Sequence, residues 1–256
     1  MACFVLVHGS FRGGWYFGPV AAILRTQGHE VWTPSLAGMG EHAHHAPLLA
    51  SAGPLPRGVW VDDIVALITS HNLHDVVLVG HSLGGVIAAE AADRLGPTHV
   101  AMLGYLDAPV LGPGQAPSDL YASPPLPGAD SPPRPAPDPA MWAPPLPVNR
   151  DDLTDDGVAA WMAERLSPNP VAPGIGPLEI RDVARWETIP CRILFCDRTP
   201  PVYPSSLSRV RLDAAGIAFD TIDAGHDAPV SVPDVVAAWL GRVALSTPRS
   251  HARMDG

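Results

Sequence analysis

Residues 77–86 of the chain read Val77-Leu78-Val79-Gly80-His81-Ser82-Leu83-Gly84-Gly85-Val86. An apolar run typical of a buried strand comes first, a Gly-x-Ser-x-Gly pattern follows it, and a segment of helical character comes next. Glycines two positions either side of a serine allow a tight turn from strand to helix that exposes the hydroxyl. The stretch therefore predicts that Ser82 is a nucleophile and that the Leu83 N–H points where an oxyanion would form. A glycine-rich turn that only packs is the alternative.

Short apolar runs alternate with helical patterns on both sides of this stretch. The alternation predicts an α/β fold with a mainly parallel six-stranded sheet and helices on both faces. The predicted strands are the runs at 3–7, 30–33, 76–79, 100–106, 192–196 and 217–222, and the predicted helices are 15–26, 61–68, 84–95, 204–215 and 232–242.

Proline divides the chain into segments. More than half of the 31 prolines lie between Pro109 and Pro177. Because proline lacks a backbone donor and fixes φ, this region is excluded from core helix and central strand. It predicts a lid or cap insertion at 112–190, over the sheet edge where ligands bind in open α/β folds. The core is then split into 1–111 and 191–245, and 246–256 is predicted to be a flexible tail.

Composition excludes several functional classes. The 16 basic residues, all arginine, and 26 acidic residues give a formal charge of −10, which argues against nucleic acid as a partner. The absence of lysine excludes a Schiff-base, pyridoxal-phosphate or P-loop lysine. Three cysteines do not form a disulfide framework. No apolar run approaches about 18 residues and no signal peptide is recognised. We therefore expect a cytoplasmic protein without a membrane partner.

A serine nucleophile needs a base and an acid. His226 follows the last apolar run and precedes a helical segment, which is the place of the histidine base in folds with such a serine turn. Two carboxylates, Asp107 and Asp197, end strand candidates and would both project near His226, so the sequence leaves the acid open between them. Asp223 and Asp227 are interpreted as residues of a solvated loop.

The segment His8-Gly9-Ser10 follows the first strand candidate. A glycine at this point lets the backbone turn sharply, so the Ser10 N–H is the candidate for a second oxyanion donor. His8 is interpreted as a structural histidine bonded to the loop backbone.

Two other groups of residues have side chains that could bind a metal ion or line a ligand pocket. His42, His44 and His45 cluster in a predicted loop, but their spacing suits no helix face and we expect no metal there. Trp142 and Trp161, in the insertion, are predicted to line an apolar pocket, with ordinary lid packing as the alternative.

With these features together, the chain resembles the α/β-hydrolase superfamily over nearly its full length. Within it, the chain is similar to small bacterial esterases related to plant methylesterases and hydroxynitrile lyases. The resembling segments are Phe4-Val-Leu-Val-His-Gly-Ser, Gly13-Gly14-Trp15, Gly28-His-Glu-Val, Thr33-Pro-Ser-Leu-Ala-Gly-Met-Gly-Glu, Asp75-Val-Val-Leu-Val-Gly-His-Ser-Leu-Gly-Gly, Tyr105-Leu-Asp-Ala-Pro-Val, Trp161-Met-Ala-Glu-Arg-Leu-Ser-Pro-Asn-Pro and Ala224-Gly-His-Asp.

The resemblance implies Ser82 as nucleophile, His226 as base, and backbone N–H groups of Ser10 and Leu83 as oxyanion donors, with no cofactor or metal. The bacterial esterase-like members present their acid in the Tyr-Leu-Asp-Ala segment, which selects Asp107 here. The plant relatives usually carry the acid after the strand that corresponds to 192–196, which keeps Asp197 as the rival.

The implied function is hydrolysis of a carboxylic ester, thioester or lactone of a small apolar or aromatic substrate. Two alternatives share the fold: a natural-product tailoring enzyme that cyclises or cleaves C–C bonds on a polyketide-like substrate, and a slow-turnover ligand-binding receptor. Hydroxynitrile lyases of the plant branch carry a lysine beside the catalytic histidine and a threonine where Gly9 stands, so cyanide elimination is disfavoured. A homodimer is left open.

Overall fold

The computed structural model describes residues 1–121, 137–150 and 152–246 of the chain. Its main sheet has six strands in the order β2-β1-β3-β4-β7-β8, and every neighbouring pair is parallel. The prediction of a parallel six-stranded α/β sheet is confirmed. The strands are β1 (Cys3–Val7), β2 (Glu30–Trp32), β3 (Val76–His81), β4 (Val100–Leu106), β5 (Trp142–Ala143), β6 (Asn169–Pro170), β7 (Cys191–Cys196) and β8 (Asp220–Ile222).

Helices alternate with these strands as the periodicity predicts. The five predicted helices lie within α1, α3, α4, α7 and α9 or differ from them by a few residues at their ends, and a single 3-10 turn at Gly14–Phe17 leads into α1. The helices are α1 (Gly18–Thr26), α2 (Ala46–Ser51), α3 (Arg57–Ser70), α4 (Gly84–Leu95), α5 (Asp156–Ala163), α6 (Val183–Trp186), α7 (Pro204–Ala214), α8 (Ala228–Ser231) and α9 (Pro233–Ser246).

The two faces of the sheet belong to two separate apolar clusters. Along β1, Phe4 and Leu6 pack with residues of α1 and α9, whereas Val5 and Val7 pack with residues of α3 and α4. All four side chains are fully buried. Successive side chains of a strand point to opposite faces, so one apolar run supplies both halves of the core. The predicted helical cover on both faces is confirmed.

The segment between β4 and β7 interrupts the alternation. It contains α5, α6 and the two-residue antiparallel pair β5–β6. Its last part is tied to the core by one buried arginine. Arg57 donates Nη1 to the carbonyl oxygens of Pro173 (3.2 Å) and Gly176 (2.9 Å), donates Nη2 to that of Pro177, and pairs with Glu90 at 2.8 Å. The end of the insertion is thereby fixed to α3 and α4.

The boundaries predicted for the insertion, 112–190, stay a prediction. Residues 122–136 and 151 of it lie outside the described residues, as does all but the first residue of the predicted tail at 246–256.

Candidate active site

The turn between β3 and α4 places Ser82 at the carboxyl edge of the sheet. Ser82 has a φ of 53°, in the left-handed region that residues other than glycine rarely adopt. A methyl group at Gly80 would overlap the backbone of Gly84 and Gly85, and one at Gly84 would overlap the carbonyl oxygen of Val7. The glycines of the motif are therefore required by close backbone approach, and they hold the serine in its strained conformation.

Replacing Gly80 by alanine is expected to lower the free energy of unfolding by about 1–3 kcal/mol, because the atoms that the methyl group meets are backbone atoms that cannot move aside. Denaturant unfolding followed by circular dichroism measures this. Gly241→Ala in α9 is the matched control, since the added methyl group meets nothing within 4 Å and alanine favours a helix by roughly 0.5–1 kcal/mol. Equal stability of the two variants would contradict this account of the turn.

His226 lies on the loop after β8 and contacts a buried carboxylate. Its Nδ1 is 2.6 Å from Oδ2 of Asp107, which follows β4 and is 1% exposed. The same oxygen accepts a hydrogen bond from Thr199 Oγ1 at 2.6 Å, and Oδ1 accepts one from the Cys196 N–H at 3.2 Å. An ionised carboxylate only accepts, so the arrangement fixes the tautomer with the proton on Nδ1 and leaves Nε2 as the basic nitrogen.

The other carboxylate that the sequence left open lies elsewhere. Asp197 is exposed and pairs with Arg209 Nη1 at 2.8 Å. Asp223 is also exposed and pairs with Arg198 Nη1 at 2.7 Å, in keeping with a solvated loop. Of the two candidates, Asp107 is the one that the structure brings to the histidine.

The interpretation of Asp227 as a solvated loop residue is wrong. Its side chain is buried and forms an ion pair with Arg12, two positions beyond Ser10 in the loop after β1. The two residues are 215 positions apart in the chain, so no local pattern could reveal the pair.

The loop after β1 packs directly against the serine. A Cβ added to Gly9 would lie only 2.7 Å from the Cβ of Ser82. His8 is buried beneath the loop, where its Nδ1 donates to the Gly9 carbonyl at 2.8 Å and its Nε2 accepts from the Leu36 N–H at 3.1 Å. Burial lowers the pKa of His8 to about 4, so it is neutral. It bonds to the loop backbone, as interpreted from the sequence, and it supports the position of Ser10.

His81 and Tyr203 surround the histidine. The His81 ring centroid is 4.5 Å from that of His226, and its Nε2 donates to the His226 carbonyl oxygen at 2.8 Å. Burial holds the pKa of His81 well below its usual value, so this ring is neutral. The Tyr203 ring centroid lies 4.7 Å from the His226 ring. The sequence does not predict the contacts of His81, Tyr203 and Thr199 with the Asp107–His226 pair, because these residues come from separate parts of the chain.

A cavity of about 440 Å³ lies over Ser82 and the Asp107–His226 pair. Ser82, Asp107 and His226 line it, together with the two expected oxyanion donors, Ser10 and Leu83. Leu83 is the residue that caps the N-terminus of α4, where unpaired N–H groups and the helix dipole favour negative charge. A serine hydroxyl, an imidazole with an oriented tautomer and backbone N–H groups at the expected donor positions thus line one concave surface, an arrangement that suits acyl transfer.

The walls of the cavity are mainly apolar, but the predicted tryptophans are not among them. Trp161 packs edge-on against Trp15 at 5.2 Å between centroids, and Trp142 packs against the cluster of α3 and α4. The prediction that they line the pocket is wrong, and the packing alternative describes them. The large apolar and aromatic side chains on the described part of the walls are Phe11, Leu83, Leu146, Val148, Met162, Leu166, Val202 and Tyr203.

The histidine cluster at His42, His44 and His45 lies in one 3-10 turn, Gly40–His45, and His44 Nδ1 donates to the Glu41 carbonyl at 3.0 Å. Across residues 1–121, 137–150 and 152–246, no three His, Cys, Asp or Glu side chains are grouped as a metal site would require. In the same part of the chain, no helix combines the length and apolar character needed to cross a bilayer.

Curated relatives match part of the chain. It is 43% identical over 108 residues to a carbendazim hydrolyzing esterase of Nocardioides sp. (strain SG-4G), covering 42% of each protein. It is 37% identical over 105 residues to the probable esterase PIR7A of Oryza sativa subsp. indica, covering 41% of this chain and 38% of that protein. Methyl jasmonate esterase 1 of Vitis vinifera is 32% identical over 119 residues, or 46% and 43% of the two chains. The chain thus spans about two fifths of these relatives.

Solved structures and a family model match far more of it. An extracellular alpha/beta-hydrolase from a Paenibacillus species superposes with a TM-score of 0.72 at 20% identity, covering 94% of this chain and 98% of the other. Methylketone Synthase I of tomato gives 0.72 at 18% identity, covering 96% and 99%. These likenesses concern the fold. The family model described as "Alpha/beta hydrolase family" matches residues 4–239. The strand–serine–helix turn, the sheet and this match agree, and the chain belongs to the alpha/beta hydrolase family.

Proposed function

We propose that the protein is a serine hydrolase that cleaves a carboxylic ester of a small apolar or aromatic compound through an acyl-enzyme. The observation that supports this most directly is the 2.6 Å contact between Asp107 and His226 on the cavity that Ser82 lines. Relatives named as esterases support the same reaction class.

The proposed reaction has two acyl-transfer steps. Ser82 Oγ attacks the ester carbonyl while His226 Nε2 takes its proton, and the Asp107 carboxylate stabilises the imidazolium. The N–H groups of Ser10 and Leu83 bind the oxyanion of the tetrahedral intermediate. His226 then protonates the departing alcohol. A water molecule, deprotonated by the same nitrogen, releases the acid and restores the serine. Thioesters and lactones would react by the same steps.

The substrate is proposed to be neutral and small. Among the described residues that line the cavity, Arg12 is paired with Asp227 and the Asp107 carboxylate is hydrogen-bonded to His226, so neither the guanidinium nor either carboxylate is free to bind an ionised substrate. The insertion supplies much of the apolar wall through Leu146, Val148, Met162 and Leu166, which supports its role as a lid over the site. A volume of about 440 Å³ suits a compact molecule.

Hydrolysis of a series of p-nitrophenyl esters tests the proposal. We expect turnover of the acetate and butyrate, and a fall in kcat/KM from the octanoate to the laurate as the acyl chain outgrows the cavity. A folded protein that hydrolyses none of these esters would contradict the proposed function. Tight binding of the ester without turnover would indicate a receptor instead.

A further inference from the structure

A buried ion pair lies next to the base and has no role in the reaction just described. Arg12 donates Nε to Oδ1 of Asp227 at 3.1 Å, and its Nη2 contacts the same oxygen. The two side chains are 10% and 5% exposed. A buried ion pair is on balance a weak source of stability, because burying the charges offsets much of their attraction. Its position beside the site therefore suggests a task other than holding the fold together.

The same guanidinium joins two loops of the site. Arg12 Nη1 donates to the carbonyl oxygen of Ser10 at 2.9 Å, and Ser10 is an expected oxyanion donor. Asp227 directly follows His226, the base. One planar side chain thus links the loop of the oxyanion donor to the loop of the histidine, with a separate N–H group for each.

Further contacts hold Asp227 in place. The Tyr16 hydroxyl donates to Oδ1 of Asp227 at 3.1 Å, and the Arg12 guanidinium lies 4.8 Å from the Tyr16 ring centroid. The Asp227 N–H donates to Oδ2 of Asp152, from the insertion, at 2.8 Å. Burial acts to raise the pKa of Asp227, but the Arg12 guanidinium and the hydrogen bonds outweigh it and lower the pKa. The carboxylate is therefore ionised, and its charge cancels that of Arg12.

We propose that Arg12 and Asp227 are positioning residues that clamp the Ser10 N–H and the His226 imidazole into one geometry for acyl transfer. The proposal rests on the proposed function. A misplacement of about 1 Å among groups that act together can cost about 10²-fold in rate. Loss of the clamp should therefore lower kcat, because both groups act on the transition state, and should leave KM little changed.

The test separates positioning from stability with a double variant. Arg12→Met with Asp227→Leu replaces the ion pair by apolar side chains, a change that is often neutral or stabilising in other proteins. We expect this variant to melt near the wild-type temperature, yet to show kcat lowered by about 10- to 100-fold with KM within about threefold. The rate at which a fluorophosphonate modifies the serine should fall in parallel. The matched control is Arg198→Gln with Asp223→Asn, an exposed pair between the segments that follow β7 and β8, and it should leave both rates unchanged.

Arg12→Lys is the second variant, and it decides the matter if the double variant does not fold. Lysine keeps the charge opposite Asp227 but lacks the rigid fork that reaches Ser10 at the same time. We expect kcat to fall by about tenfold while the melting temperature stays near that of the wild type. Wild-type kcat in a folded double variant, or in Arg12→Lys, would overturn the clamp. A wild-type protein inert toward both the esters and the fluorophosphonate would instead overturn the proposed function, so the two failures are distinguishable.

Discussion

Replacing Ser82 by alanine is expected to lower kcat/KM for p-nitrophenyl butyrate by at least about 10⁴-fold, because the acyl-enzyme can no longer form. The remaining rate would come from binding and from the oxyanion donors alone. Because alanine removes only an oxygen atom, we expect it to leave the fold intact. Initial-rate measurements at several ester concentrations, with melting curves of the same samples, check this result.

Ser51→Ala is the matched control for this change. Ser51 ends α2, and among the described residues its exposed hydroxyl bonds to the local backbone alone, at the Leu48 carbonyl. We expect wild-type activity from it. If Ser82→Ala kept more than about one hundredth of the wild-type rate, the role of Ser82 as nucleophile would be untenable.

Replacing Asp107 by asparagine is expected to lower kcat by about 10⁴-fold, because an amide in this place no longer fixes the proton on Nδ1 of His226. The wrong tautomer would present an N–H, rather than a lone pair, to the serine. Steady-state kinetics on the purified variant measures the loss, and KM should change little.

Asp197→Asn is the control that separates the two carboxylates. It removes only a partly exposed ion pair with Arg209, so we expect a rate within about threefold of the wild type and a stability change of at most about 1 kcal/mol. The opposite pattern, with activity lost in Asp197→Asn and kept in Asp107→Asn, would assign the acid to Asp197.

The parts of the fold that the sequence predicts are those set by local patterns. Successive side chains of β1 point to opposite faces of the sheet, and they are apolar on both faces. This pattern indicates a strand that is buried on both sides. The helix predicted at 61–68 follows from apolar residues at helical spacing, among them Val61, Ile64 and Ile68, and these side chains are buried in α3. Helices α2, α5, α6 and α8 escape prediction because they have only four to eight residues, and such short helices depend on tertiary contacts rather than on their own propensity.

The site divides in the same way. Ser82 is predicted because its two glycines are within two positions of it, and His226 because chain order places it after the last strand. The choice between Asp107 and Asp197 needs side-chain directions at the ends of two strands, which residue types alone do not give. Arg12 and Asp227 lie 215 positions apart, in the loops that follow β1 and β8, and three strands separate β1 from β8 in the sheet. Their pairing therefore depends on how these loops fold over the sheet edge, which no local pattern predicts.

The most direct measurement is mass spectrometry of the protein quenched with acid during turnover of p-nitrophenyl butyrate. We expect a fraction of the wild-type protein to carry one butyryl group, located at Ser82 by peptide mapping, and a burst of p-nitrophenol that matches this fraction. Ser82→Ala should show neither. A butyryl group on another residue, or undiminished turnover by Ser82→Ala, would contradict the claim that this serine is acylated.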